Sequence, residues 1–268
     1  MSSEISKNFW TIRSNREISN NLTFDDFCNK SICEYAQPHG SCNIDGLYKA
    51  KIFNNDIFKT IINNDGFDNI IDTLTIDFIR SQHYILSTYL LNFIHGKQEL
   101  NIMEIGGGFG NMRRILSKYM DINSYTIFDI NNCLQFNKSF LKTHSNNYDL
   151  VEDQLYLHRG FYNISIDFRE TFIDNFLEKK NIDVLIATHS LSELDIDEFN
   201  WYFDNIVKKS KIFFYCTQTL DTVYNLCGAD LSLLKIEKIK EYMNTVLEIG
   251  QPGEERNCKM YLFESKKS

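Results

Sequence analysis

Four glycines follow an apolar segment that ends in an acidic residue, between Leu100 and Gly110. Glycine has no Cβ, so this cluster allows the backbone to come close to a ligand. Apolar residues then recur at the spacing of one helical face from Met112 to Tyr119, which predicts a helix that begins at about Asn111. A strand, a tight turn and a helix N-terminus therefore meet at one point, where open α/β sheets usually bind ligands.

The spacing of the glycines restricts the class of ligand. Dinucleotide-binding loops have the pattern G-x-G-x-x-G, and here Asn111 occupies the position of the third glycine. The spacing is instead E-x-G-x-G-x-G, formed by Glu104, Gly106, Gly108 and Gly110. This pattern makes a nicotinamide-dependent oxidoreductase the weakest of the enzyme hypotheses.

A second strand is predicted at residues 124–130, and it ends with Asp129. An acid at this place accepts hydrogen bonds from ribose hydroxyls, so Asp129 indicates an adenosine-containing ligand without choosing between coenzymes. The alternative is that Asp129 is an ordinary strand-end residue and that the glycines form an ordinary turn.

The segment after the fourth predicted strand is the best candidate for acid–base chemistry. His189 could accept a proton near neutral pH, and Glu193, four residues later, could orient the imidazole or contact an acceptor. The alternative is that His189 is a polar strand-end residue and that Glu193 caps the next helix. Weaker candidates are Arg80 and Tyr84 before the first strand, His39, His83 and His158.

A possible metal cluster receives less support. Cys28, Cys33, His39 and Cys42 have the residue types of zinc ligands but lack a paired C-x-x-C spacing. We therefore predict no metal site.

Strand and helix patterns alternate along most of the chain, which predicts crossovers and a mostly parallel, doubly wound sheet. Residues 1–74 read as an N-terminal helical or irregular cap, and residues 75–268 as the catalytic domain. The predicted strands are 100–105, 124–130, a short one around 156–158, 183–187, 211–217, and a terminal hairpin of 242–249 and 259–263; the predicted helices are 75–96, 111–119, 132–142, 169–179 and 197–208.

Composition excludes several classes of function. The net charge of −8 over 268 residues and a pI near 5.3 argue against binding to nucleic acid, which requires a basic face. No apolar run approaches the ~20 residues of a membrane span, and the polar N-terminus has no signal-peptide core. Together with seven scattered cysteines, this predicts a cytoplasmic protein. A homodimer is one expected assembly.

These motifs together resemble the class I S-adenosylmethionine-dependent methyltransferases, and within them a branch of sugar O-methyltransferases from bacterial polysaccharide biosynthesis clusters. The resemblance lies in 103–111, 125–129, Gln135 with Phe140–Leu141, and 188–194. The chain departs from that branch at two places. Asp129-Ile130-Asn131 replaces the usual Asp-Leu-Pro, and the acid expected after strand three is missing from residues 160–163. Asn163 is therefore a substitute candidate for holding adenine.

The resemblance implies a seven-stranded, Rossmann-like sheet, S-adenosylmethionine as the cofactor, and a sugar or nucleotide-linked sugar as the acceptor. Transfer to a nitrogen or to another small metabolite, and a catalytically silent module that serves a partner protein, are the alternatives. His189 and Glu193 are the predicted catalytic residues. The predicted cofactor-binding residues are Glu104, Gly106, Gly107, Gly108, Gly110, Asp129, Ile130 and Arg80.

Overall fold

The described strands form one sheet. The computed structural model describes residues 55–64, 78–108, 110–130, 133–134, 137, 150–152, 160–188, 190–217, 232–250 and 259–266. Within them the strands are β1 (Leu100–Ile105), β2 (Ile122–Asp129), β3 (Leu150–Glu152), β4 (Gly160–Ser165), β5 (Ile182–Thr188), β6 (Ser210–Cys216), β7 (Met243–Gly250) and β8 (Lys259–Ser265). Their spatial order is β3-β4-β2-β1-β5-β6-β8-β7.

The sheet is parallel from β3 to β6, and β8 runs antiparallel to both β6 and β7. β1 lies between β2 and β5, so the chain winds outward in one direction and later in the other. Such a reversal leaves a crevice at the carboxyl ends of the central strands, where doubly wound sheets bind ligands. Both the glycine cluster and the segment that follows β5 start at this edge.

Helices cover both faces of the sheet. They are α1 (Asp56–Asn64), α2 (Phe78–Ile94), α3 (Asn111–Tyr119), α4 (Arg169–Leu177), α5 (Ser190–Glu193), α6 (Ile196–Asn205) and α7 (Ser232–Tyr242). Side chains alternate across a strand, and Ile102 in β1 accordingly belongs to a buried cluster that includes residues of α1, α2 and α3, while Met103 belongs to a second cluster that includes residues of α4, α6 and α7. The central strands are thus buried on both sides, as parallel sheets generally are.

The structure confirms the predicted doubly wound, mostly parallel sheet, with the short β3 added at one edge. β4, Gly160–Ser165, was not among the predicted strands, and it contains residues 160–163, which were expected to follow a strand. The predicted strand around 156–158, most of the helix 132–142 and most of the cap fall outside the described residues. The helix predicted to reach 208 ends at Asn205, and a 3₁₀ turn, Val207–Lys209, follows. Helix α7 was not predicted.

Candidate active site

The glycine loop, residues 106–110, connects β1 to α3 at the carboxyl edge of the sheet. The Gly106 amide donates to the Phe128 carbonyl at 2.8 Å and the Gly110 amide to the Gly107 carbonyl at 2.8 Å. Gly106 has φ +72° and Gly108 has φ +53°, in the left-handed region that L side chains rarely adopt. The chain therefore needs glycine here in order to turn directly from the strand into the helix.

The surroundings of these glycines differ. A Cβ at Gly106 would lie 2.3 Å from the Cβ of Ser190, and a Cβ at Gly107 would lie 2.6 Å from Ile127 Cγ2. At Gly108, by contrast, a Cβ would meet no described atom within 4 Å. The loop thus packs tightly against the protein on one side and leaves open space on the other, as a ligand cradle requires.

Asp129 ends β2 beside this open space. Its Oδ2 accepts the Gly108 amide at 2.9 Å, and its Oδ1 accepts the Ile130 amide at 2.8 Å. Burial raises the pKa of Asp129 to about 6, although the two amides and the Cys133 thiol oppose that rise by stabilising the carboxylate. The carboxylate is thereby fixed next to the loop, where it can accept hydrogen bonds from a ligand's hydroxyl groups.

Glu104 lies under the loop and is only 1% exposed. Its Oε2 accepts a hydrogen bond from the Tyr125 hydroxyl at 2.8 Å and would lie 3.2 Å from a Cβ at Gly107. Burial raises the pKa of Glu104 to about 7, against the opposing effects of the Tyr125 hydrogen bond and the positive charge of Arg113. Glu104 was predicted to bind the cofactor, and its observed contacts support the loop from the core side.

Asn111, the first residue of α3, has a buried polar group with no partner. Its Oδ1 accepts a hydrogen bond from Arg114 Nε at 2.8 Å. Because that nitrogen can only donate, the oxygen must face Arg114 and the amide nitrogen must face away. Within the described part of the chain, Nδ2 is buried and has no hydrogen-bond partner. Such a group usually costs about 1–3 kcal/mol, so a donor is available for an acceptor atom of a ligand at the N-terminus of α3.

The segment after β5 packs directly on the glycine loop. Ser190 donates its hydroxyl to the Ile105 carbonyl at the end of β1, and Leu191 and Ser192 are fully buried. Glu193 is half-buried at the end of α5. His189 lies outside the described residues, so its placement stays a prediction, but its chain neighbour Ser190 is in contact with the predicted cofactor loop.

The corrected end of β4 supplies an acid that sequence reasoning missed. Asp167 follows Ser165 by two residues, in the 3₁₀ turn Ile166–Phe168. Residues 160–163, where the family resemblance places this acid, are strand residues. The next residue, Phe168, is 62% exposed, which is unusual for a large apolar side chain.

Several other predicted residues do not enter the described site. Arg80, His83 and Tyr84 lie on α2, and Asn163 lies on β4, but their side chains are outside the described set.

Among the residues that the structure describes, no group of three or more His, Cys, Asp or Glu side chains could hold a metal ion. No helix in that same part of the chain is long and apolar enough to cross a bilayer. The remaining weaker candidates, Cys28, Cys33, His39, Cys42 and His158, also lie outside the described residues.

No family model matches the chain, and no curated protein sequence matches it. Solved structures do match. The N-methyltransferase NodS from Bradyrhizobium japonicum WM9, in complex with S-adenosyl-L-homocysteine, is 15% identical, covers 79% of this chain and 99% of its own, and superposes with a TM-score of 0.51. Another structure of NodS covers 70% of this chain and 96% of its own, at 15% identity and a TM-score of 0.50.

The likeness extends along almost the whole of NodS, and at this identity it concerns the fold. This chain has the doubly wound fold of the class I methyltransferases.

Proposed function

We propose that this chain is an S-adenosylmethionine-dependent methyltransferase. One observation carries the proposal: the Gly106–Gly110 loop leaves open space above Gly108, and the amide of Gly108 and the carboxylate of Asp129 are joined at the edge of that space. The fold shared with NodS, whose structure includes S-adenosyl-L-homocysteine, supports the same cofactor. A catalytically silent module would have no need to keep this loop.

The described residues fit the parts of the cofactor. Asp129 holds the ribose hydroxyls, and Ile130 and Phe168 supply apolar contact for adenine. Asp167 is the candidate acceptor for the adenine amine by its position in the chain just after β4, a role for which the sequence alone suggests Asn163. The unpartnered Nδ2 of Asn111 donates to the carboxylate of the methionine part. Arg80, on α2, is a further candidate for that end of the cofactor.

The proposed acceptor is a hydroxyl of a sugar or nucleotide-linked sugar. When bound, S-adenosylmethionine supplies a methyl group on a sulfonium sulfur, which is open to in-line attack. A sugar hydroxyl is a poor nucleophile until its proton is removed. In this proposal His189 takes that proton and Glu193 orients the imidazole, because Ser190, which follows His189 in the chain, is bonded to Ile105, from which the cofactor loop begins. The resemblance of residues 188–194 to the sugar O-methyltransferase branch supports this acceptor class. The thiol of Cys133 agrees with the reducing cytoplasm proposed as the location of the protein.

Isothermal titration with S-adenosylhomocysteine tests the cofactor. We expect binding to wild type, and weakening by about tenfold to a hundredfold in Asp129→Asn, because a hydrogen bond to a charged acceptor contributes about 1.5–3 kcal/mol. If wild-type protein that is shown to be folded gives no heat at high micromolar ligand, the enzyme proposal fails.

Mass spectrometry after incubation with S-adenosylmethionine and a panel of nucleotide sugars tests the acceptor. We expect a gain of one methyl group, and loss of that gain in His189→Ala with S-adenosylhomocysteine binding retained. Transfer that persists unchanged in His189→Ala would favour an amine acceptor, which already carries a free lone pair.

A further inference from the structure

Lys235 is a fully buried lysine in the first turn of α7, and the chemistry proposed above does not use it. Its ammonium donates to the backbone carbonyl oxygens of Leu191 at 3.3 Å, Ser192 at 3.0 Å and Leu194. It also lies 5.6 Å from the centroid of the Phe199 ring on α6. A buried ammonium is tolerated only where hydrogen bonds replace its hydration, and here three such bonds go to one segment of backbone.

That segment contains α5, Ser190–Glu193, and its last carbonyls are the ones that a short helix leaves without partners. A cation at this end also interacts favourably with the peptide dipoles. The opposite end of α5 is attached to β1 through the hydroxyl of Ser190 and the carbonyl of Ile105. α5 is therefore held at one end by the strand that carries the glycine loop and at the other end by Lys235.

We propose that Lys235 is a positioning residue for methyl transfer. It fixes the 189–194 segment against the glycine loop, so that His189 and Glu193 keep their places relative to the bound cofactor. This inference rests on the proposed function, because that function assigns the segment to the acceptor side. Lys235 itself touches neither the cofactor nor the acceptor.

The same helix offers a matched control. Lys238 lies one turn later on α7 and donates to Asn200 Oδ1 on α6 at 2.5 Å, and its ammonium lies 4.5 Å from the centroid of the Phe203 ring. These contacts are with α6, and within the described part of the chain Lys238 has no hydrogen bond to residues 190–194. Lys235→Met and Lys238→Met therefore each remove one ammonium from α7, but only the first removes the donors of α5. Lys235→Arg keeps the charge and the donors.

Hydrogen–deuterium exchange of wild type and the three variants tests the attachment. In Lys235→Met we expect the amides of residues 190–195 to exchange at least about tenfold faster than in wild type, because losing the donors lets the segment open locally. Lys238→Met should leave these rates within about threefold of wild type, and Lys235→Arg should give intermediate rates. Wild-type rates in Lys235→Met, or equal acceleration in both methionine variants, would overturn the proposal.

A histidine-labelled NMR spectrum tests the positioning. Six histidines give a simple spectrum, in which the ring signal of His189 is identified by its loss in His189→Ala. S-adenosylhomocysteine should shift this signal in wild type and not in Lys235→Met, while its affinity, measured by titration, stays within about threefold. A shift of wild-type size in Lys235→Met would overturn the positioning role.

The two proposals can fail separately. If wild type binds no S-adenosylhomocysteine, the proposed function fails and the positioning role fails with it, whereas the exchange rates still decide whether Lys235 holds the segment. If Lys235→Met does not fold, the wild-type rates decide: amides at 190–195 that exchange as fast as the exposed loop 95–99 contradict the attachment, and slower exchange together with intermediate rates in Lys235→Arg supports it.

Discussion

Gly108 offers a direct test of the cofactor loop, because Gly96 shares its left-handed backbone, its exposure and its open space for a Cβ, but lies elsewhere in the fold. Gly108 and Gly96 both have left-handed backbones, with φ of +53° and +79°, and both are exposed. A Cβ at either position would meet no described atom within 4 Å. Gly96, however, follows the C-terminus of α2, whereas Gly108 lies beside Asp129 in the proposed cofactor site.

Replacing either glycine with alanine should therefore lower the free energy of unfolding of the ligand-free protein by the same amount. An L residue in the left-handed region loses about 1–2 kcal/mol, and no steric overlap is added. We expect the free energy of unfolding, measured in urea, to fall by this amount in both Gly108→Ala and Gly96→Ala.

Only Gly108→Ala should affect binding. Its methyl group would occupy space that the loop leaves for the ligand, so we expect the affinity for S-adenosylhomocysteine to fall at least about tenfold, or about 1.4 kcal/mol. Gly96→Ala should bind as wild type does. The reasoning is refuted if folded Gly108→Ala retains wild-type affinity, or if Gly96→Ala loses as much.

Three further predictions concern the surroundings of the loop. Burial raises the pKa of Glu104 from its ordinary value of 4.5 to about 7, so its carboxyl group binds a proton more tightly in the folded chain than in the unfolded chain. The free energy of unfolding should therefore fall as the pH rises through this pKa range. Glu104→Gln should remove this fall in the free energy of unfolding, on the order of 3 kcal/mol at most. Urea denaturation of both proteins at about pH 4 and about pH 8 measures the effect, and an equal pH dependence in the two proteins would contradict the prediction. Gly106→Ala should lower the free energy of unfolding by the same left-handed strain, about 1–2 kcal/mol, and by a further ~1–3 kcal/mol through overpacking against Ser190. Adding Ser190→Gly should recover part of the second loss; a double variant no more stable than Gly106→Ala would show that the clash is not its cause. Asp167→Ala should weaken S-adenosylhomocysteine binding about tenfold, while the exposed control Asp174→Ala on α4 should not, as titration calorimetry would measure; equal affinities would remove Asp167 from the adenine site.

Much of the fold follows from local patterns. The helix predicted to begin at about Asn111 begins there, and the strand over 100–105 has the predicted bounds, because glycine turns and helical apolar periodicity are written in consecutive residues. Strand β4 was not predicted, since a short strand carries little local signal of where it begins and ends. Its true end at Ser165 is set by pairing with Asp129 of β2, and that pairing is a property of the sheet.

The sequence by itself determined that a glycine turn, an acid after the next strand and a polar segment after the fourth strand would gather at one edge of a parallel sheet. Strand periodicity and connection rules are sufficient for that prediction. The tertiary structure alone decided that Gly106 has no room for a Cβ because Ser190 packs on it, that the amide nitrogen of Asn111 is buried without a partner among the described residues, and that the ammonium of Lys235 reaches the carbonyls of α5. Each of these facts depends on the contacts and burial that packing creates between side chains and backbone, and no local pattern in the sequence encodes which groups will meet.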